Sequence, residues 1–370
     1  MSSRLKPPFR ADQVGSLLRP ESLKEARRQF AEGKISAADL KEKEDKAILE
    51  AIRGQEEIGL QGITDGEFRR EAWQTDFLSH LDGVEAGLAQ LPMPGGKVES
   101  FRVAKVVGPV GFSSHPMIDH FSYVAKHTTR TPKMTIPSPT MMVSLMRDWR
   151  GIVSADAYDN IDDLYRDLGA AYRGAIRAFY DAGCRYIQLD DCNLAFMCDP
   201  ERRQAMESRG DKPAQVLGRF AELINSALEG RPDDLTVSMH LCRGNLRSNW
   251  MAKGGYEFVA DTLFNKINVD ALFLEYDSER AGGFDPLRVA SSNGGPLIVL
   301  GLVTTKSGQL EDREMVKHRI DEAARYVGLE RLCLSPQCGF ASTEEGNLLS
   351  EDEQWRKLAL TQQIAADVWH

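Results

Sequence analysis

Two rhythms of apolar positions alternate along the chain. Short, nearly continuous apolar runs end in polar or charged residues, and longer stretches between them repeat apolar residues three and four positions apart. The short runs read as strands: FRADQVGS near 9–16, GITDGEF at 62–68, KMTIPSP at 133–139, RYIQLDD at 185–191, LTVSMHLC at 235–242, ALFLEYD at 271–277, LIVLGLVTT at 297–305 and RLCLSPQCG at 331–339. Their unbroken apolar character is that of strands covered on both faces. Between them, 159–182 places Ile161, Leu164, Leu168, Ala175 and Phe179 on one helical stripe, with Gly183 as a stop. A second helix is predicted over 213–229, with Pro213 in its first turn and Val216, Phe220, Ile224 and Leu228 four apart, and a last one over 351–369. Strands alternating with helices in this way predict an α/β fold, a TIM-like (β/α)8 barrel with an excursion after the second strand. The excursion is 83–127, rich in Gly, Pro, Ser and His, with a hairpin expected around SFRVAKVVGP and a place over the barrel mouth as a lid. Residues 1–370 read as one catalytic barrel domain carrying 83–127 as an insertion, with no repeat, low-complexity tract or linker. A dinucleotide-binding fold is the less economical reading, because no GxGxxG follows an early strand.

Polar residues gather where the apolar runs end: Asp65 and Glu67, Asp190 and Asp191, His240 and Cys242, Glu275 and Asp277, Thr304 to Lys306, and Cys338. Barrel sites are built from the C-terminal ends of the strands, so these positions should converge. His240 and Cys242 are two apart and share one face of their strand. An isolated HxC pair is weak evidence, since a buried Cys is usually a small core residue. Glu275 and Cys338, ending two further strands, turn it into a nitrogen, sulfur and oxygen donor set suited to zinc. Cys184 and Cys333 open apolar strands and read as core. Cys192 and Cys198 flank a loop without CxxC spacing and stay outside the predicted site.

Composition narrows the partners. With 370 residues, 42% hydrophobic, 27% charged and a net charge of −9, the chain has ample material for a core, and its acidic balance argues against nucleic acid or an anionic membrane as the main partner. A small molecule is the expected ligand. No apolar stretch is long enough to cross a bilayer and MSSRLKPPFRADQVGS lacks an apolar signal segment, which predicts a cytoplasmic protein with its six cysteines reduced. Oligomeric state is left open, because an apolar helix face serves a barrel or a partner equally well.

The ordered segments VGSLLRP, TDGE, QLDD, HLC, LEYD, LVTTK and SPQCGF, spread over nearly the whole chain, resemble the C-terminal catalytic barrel of cobalamin-independent methionine synthases. The match is to the short, single-barrel members. The resemblance implies zinc held by His240, Cys242, Glu275 and Cys338, and homocysteine bound at Ser16, Glu67 and Asp190. It implies transfer of a methyl group from a donor such as 5-methyltetrahydrofolate to the homocysteine thiol, giving methionine. The long enzymes place a His in the loop after strand seven as a general acid; here that loop reads VTTKSG, and Lys306 becomes the candidate for holding an acidic donor or supplying the proton.

Two other chemistries fit a zinc-activated centre: another thiol alkylation, such as epoxyalkane transfer to coenzyme M, and zinc-dependent hydrolysis. Carboxylates at 67 and 190 suit an ammonium group and oppose the sulfonate of coenzyme M, and two thiolate ligands weaken the Lewis acidity that hydrolysis needs. Glu67 and Asp190 can equally be spent on Arg69, Arg70 or Arg185. Asp65 and Asp191 read as supporting groups, and Trp73 and Phe77 either stack a planar donor or pack a helix on the barrel.

Overall fold

The computed structural model describes residues 6–92, 98–143, 149–154, 156–291 and 294–369. Its strands are β1 (Gly62–Ile63), β2 (Asp82–Pro92), β3 (Val98–Gly111), β4 (Thr131–Pro132), β5 (Met134–Pro137), β6 (Tyr186–Asp191), β7 (Thr236–Leu241), β8 (Ala271–Glu275), β9 (Leu297–Val303) and β10 (Leu332–Pro336). β5 to β10 form a parallel sheet in sequence order, and β1 pairs with β4 in a short parallel sheet. Only Lys133 separates β4 from β5, so the segment 131–137 joins the two sheets.

The remaining position belongs to residues 10–17. Ala11 bridges Leu334 of β10 in parallel, with Asp12 N donating to Leu334 O at 3.0 Å. On the other side the segment meets the residues after β1 through Leu17 N to Gly66 O at 3.0 Å and Thr64 Oγ1 to Gly15 O at 2.7 Å. That side is a seam of isolated hydrogen bonds and carries no strand ladder.

Side-chain alternation sets what each face does. Outward residues such as Ile187, Leu189, Val237, Met239, Leu272 and Leu274 join the large core between sheet and helices. Inward, Val14, Ala271, Phe273, Val299 and Cys333 form a separate small core. Lys133 and Asp12 pair across the interior at 3.1 Å, both side chains fully buried, with the ammonium over the rings of Tyr186 and Phe273.

The predicted helices appear as Ile161–Asp181, Pro213–Leu228 and Glu351–Val368. The first is started by the Asn160 side chain accepting from Asp163 N, and buries Leu164, Leu168, Tyr172, Ala175 and Phe179. In the last, Ser350 and Glu353 close a capping box. No helix among the described residues is long and apolar enough to cross a membrane.

Two expectations change in detail. The strand expected over 62–68 stops at Ile63, because Gly66 and Glu67 both adopt positive φ, 66° and 62°, and turn the chain over the end of the sheet. SFRVAKVVGP is one arm of an antiparallel pair, β3, whose other arm is the earlier β2; residues 93–97 between them lie outside the described residues. The helix Met117–His127 completes this excursion.

Candidate metal and substrate site

β7 places Ser238 and His240 on its inward face, and Cys242 continues that face one step past the strand. β8 does the same for Ala271, Phe273 and Glu275. β10 has a register irregularity between Ser335 and Pro336, after which the chain turns Cys338 into the same region. As a result the donor atoms of His240, Cys242, Glu275 and Cys338 all lie within 4.8 Å of one another, with every residue buried. Cys242 Sγ and Cys338 Sγ are 3.6 Å apart, and His240 Nε2 is 3.8 Å from Glu275 Oε1.

The charges in this cluster call for a cation. Burial alone pulls an imidazole down, yet Asp190, Cys242 and Glu275 outweigh it and push His240 up to about 9. Hydrogen bonds from Cys192 and Cys338 hold Cys242 well below an ordinary thiol, helped by Gly244 N–H pointing at its sulfur at 3.4 Å. Soft sulfur donors, one imidazole and one carboxylate, gathered with surplus negative charge, fit zinc.

The supports are as specific as the donors. His240 Nδ1 faces Asp190 Oδ1 at 3.3 Å, which leaves Nε2 toward the cluster. Glu275 is fully buried and accepts from Arg243 N at 2.8 Å, Arg280 Nη2 at 3.0 Å and Gln337 Nε2 at 3.4 Å. Asp65 accepts from Glu67 N at 2.8 Å and fixes the turn. Asp191 points to the outer side, where Ser138, Thr140 and Leu194 N bind it. Both acids therefore support neighbouring backbone and side chains, as read from sequence.

Beside the donors lies a cavity of about 30 Å³ walled by Ser16, Glu67 and Asp190 together with His240, Cys242 and Cys338, with Trp73 also on its wall. Glu67 Oε1 is held by Thr135 Oγ1 at 2.7 Å and Arg70 at 3.2 Å. Its Oε2 is buried without a hydrogen-bond partner. Of the arginines that might have claimed these acids, only Arg70 does so; Arg69 pairs with Glu44 and Asp45, and Arg185 with Asp234. Ser16 is pressed against Gly339, where a Cβ would stand 1.9 Å from Ser16 Oγ, so a residue without a side chain is required there.

Lys306 stands above the donors with its ammonium committed to Gly244 O, Asn245 Oδ1 and Asn249 O at 3.0, 3.1 and 3.3 Å. In this arrangement it fastens the loop after β7. Phe77 is wholly buried against His115 and Tyr172 and packs the fold, whereas Trp73 reaches the cavity.

Sequence reasoning missed Thr135, Arg280, Gln337 and Cys192, and named Arg70 only as a competitor for the acids. Cys192 touches Cys242 and belongs to one cluster with Cys242 and Cys338, covered by Trp73, Met141 and Phe196. The signal for it was present: Gln188, Asp190 and Cys192 repeat at every second position, as His240 and Cys242 do.

Residues 9–359 match the family model described as the catalytic domain of cobalamin-independent synthases. Over 369 residues the chain is 50% identical to the uncharacterized protein YxjG of Bacillus subtilis (strain 168), covering 99% of this chain and 96% of that one. A crystal structure from Listeria monocytogenes, assigned as a vitamin-B12 independent methionine synthase, superposes with a TM-score of 0.79 at 39% identity, covering 99% of this chain and all of that one. A B12-independent methionine synthase from Shewanella sp. W3-18-1, solved with selenomethionine, shares the fold at 19% identity, with a TM-score of 0.73 and coverage of 99% and 98%.

Proposed function

Because the chain belongs to the cobalamin-independent methionine synthase catalytic-domain family, we propose that it is a zinc-dependent methyltransferase that methylates the thiol of homocysteine to give methionine, with Ser16, Glu67 and Asp190 receiving the amino acid. The observation that carries this reading is the unpartnered Glu67 Oε2, buried in the same small cavity as Cys242 and Cys338. A buried carboxylate oxygen without a partner is costly, and an ammonium group satisfies it. Homocysteine has the ammonium and the thiol that these two walls call for.

His240, Cys242, Glu275 and Cys338 would hold zinc, which when bound keeps a thiol deprotonated at neutral pH. The chain's own residues do the rest. Glu67 takes the ammonium, Asp190 lies beside it while orienting His240, and the Ser16–Gly339 contact fixes the opposite wall. Sulfur then attacks the donor's methyl carbon as the bond from that carbon to its leaving atom breaks and the leaving atom keeps the electron pair. For an amine leaving group a proton must arrive, and Lys306, held at the loop after β7, takes that role once it releases one of its three oxygens. Coenzyme M fits less well, since its sulfonate would face Glu67 and Asp190.

We infer also that residues 1–370 act as one catalytic domain, with the 83–127 excursion lying over the site. The hydrogen bond from Thr75 Oγ1 to Arg102 O, which ties β3 to the segment following Trp73, supports this. The test of the function is methionine formation by the zinc-reconstituted protein from homocysteine, with 5-methyltetrahydrofolate and simpler methyl donors supplied separately. Turnover with one donor identifies it. Zinc-loaded protein that neither binds nor methylates homocysteine removes the proposal.

A further inference from the structure

The turn that carries Glu67 begins where β1 has already ended, so its carbonyls find no strand partner and are taken by guanidinium groups. Arg19 Nη2 donates to Glu67 O at 2.9 Å and to Arg70 O at 3.0 Å. Arg27, on the helix Glu21–Ala31, donates to Phe68 O and, at 3.3 Å, to Arg70 O, and is paired with Glu44. Arg19 differs from it in two ways. It is buried and makes no ion pair among the described residues, and its Nη1 crosses to another part of the chain, donating to Ala341 O at 3.0 Å and Thr343 O at 3.3 Å.

One guanidinium therefore ties the turn of Glu67 to the segment that follows the donor Cys338. Its own segment carries Ser16, whose carbonyl accepts from Phe340 N at 2.9 Å and whose hydroxyl accepts from Ala341 N at 3.3 Å. Ser16, Glu67, Cys338, Gly339 and Ser342 all wall the cavity, so the clamp joins three of its sides. Outside the clamp the two turns meet again through Trp73 N to Ser342 O at 3.2 Å and the bridge of Ala72 with Thr343.

Burying a guanidinium with no carboxylate in contact is unfavourable, and burial pulls Arg19 down to about 10. The rigid planar fork supplies in return a fixed separation between two pairs of carbonyls, which a flexible ammonium stem does not. Separation is what a site for an aminothiol measures. Glu67 fixes the ammonium end and the sulfur donors fix the thiol end, so a chain one methylene too short reaches one end only. Glu67 sits at a φ of 62°, and a shift of the carbonyl that Arg19 holds carries the carboxylate with it.

We propose that Arg19 is a positioning residue that sets the distance between Glu67 and Cys338 and thereby makes the site selective for homocysteine over the shorter cysteine. The proposal rests on the zinc and homocysteine reading above.

The experiment is calorimetric titration of homocysteine and of cysteine into the full-length, zinc-reconstituted protein and its Arg19→Lys, Arg19→Gln and Arg27→Lys variants, with zinc content measured and circular dichroism confirming the fold. Lys and Gln keep a donor on a long stem without spanning both pairs of carbonyls. Arg27→Lys loosens the same turn and leaves Ala341 and Thr343 held. One methylene is worth about 10- to 200-fold in a fitted site, and the unaltered protein and Arg27→Lys should prefer homocysteine by a ratio in that range. In both Arg19 variants that ratio should fall by about tenfold, through loss of homocysteine affinity, with zinc content unchanged. Equal weakening of both aminothiols, an equal fall of the ratio in Arg27→Lys, or unfolding of both Arg19 variants overturns the selectivity role and leaves the homocysteine reading intact. Zinc-loaded unaltered protein that binds neither aminothiol overturns both.

Discussion

At the scale of single residues, the site is defined by groups that the fold leaves incomplete. Glu67 has one oxygen satisfied and one bare, so Glu67→Gln should raise KM for homocysteine roughly 10- to 100-fold, the worth of a charge-assisted hydrogen bond. Zinc content should stay unchanged, and metal analysis beside steady-state kinetics checks the split; loss of zinc in that variant would place Glu67 among the supports of the donors. Gly339→Ala puts a methyl where Ser16 Oγ already stands and should cost about 1–3 kcal/mol in urea melts together with most activity. The four donors were legible because each ends an apolar run and is a residue type that zinc prefers. Cys192 was not, since spacing rules borrowed from CxxC motifs look along one strand, whereas its partner Cys242 sits on the next. Thr135, which holds Glu67, was hidden for the same reason: it lies on the neighbouring segment that pairs with β1, 68 residues away in sequence.

At the scale of elements, the excursion carries a device the strand pattern does not announce. His115 is buried ahead of the helix Met117–His127; its Nδ1 accepts from Met117 N at 3.1 Å and its Nε2 faces Phe77 O at 3.0 Å. Burial pushes it down to about 4, against about 6.5 in an unfolded chain. Between those values the unfolded chain binds the proton and the folded one does not. Stability present at neutral pH is therefore lost as pH falls from about 6.5 to about 4, by up to about 3 kcal/mol for this group. Urea midpoints at pH 7.5 and 5 should separate in the unaltered protein and draw together in His115→Gln; equal separation in both would assign the loss elsewhere. Strands β6 to β9 were legible almost residue by residue, because burial on both faces leaves an unbroken apolar run. β1 was overcalled, since the composition of TDGEF does not reveal that two consecutive residues turn left-handed. The arms of the hairpin were harder to place, because β2 and β3 are half exposed and carry no such run.

At the scale of the whole molecule, the interior is layered, with an ion pair near one end, an apolar layer of Val14, Phe273 and Val299, and the donors at the other end. The pair of Lys133 and Asp12 is fully buried, so Lys133→Met should cost about 3–5 kcal/mol by leaving Asp12 charged and alone. Guanidinium denaturation measures it, and a change below about 1 kcal/mol would mean that Phe9 N, Gln13 N and Tyr186 OH suffice for Asp12. A further consequence comes from the seam between residues 10–17 and the turn after β1. The cavity holds about one water's volume, about 30 Å³, while Ser16 and Glu67 stand on opposite lips of that seam. Admitting an amino acid there parts one backbone hydrogen bond, Leu17 N to Gly66 O, and one from Thr64, where parting any ladder would break a row. In hydrogen exchange the Leu17 amide should therefore trade its proton for deuterium well before those of Leu241 or Leu274, and homocysteine, once seated, should slow it: a loose stitch beside the sheet becomes the clock by which the ligand's coming and going is read.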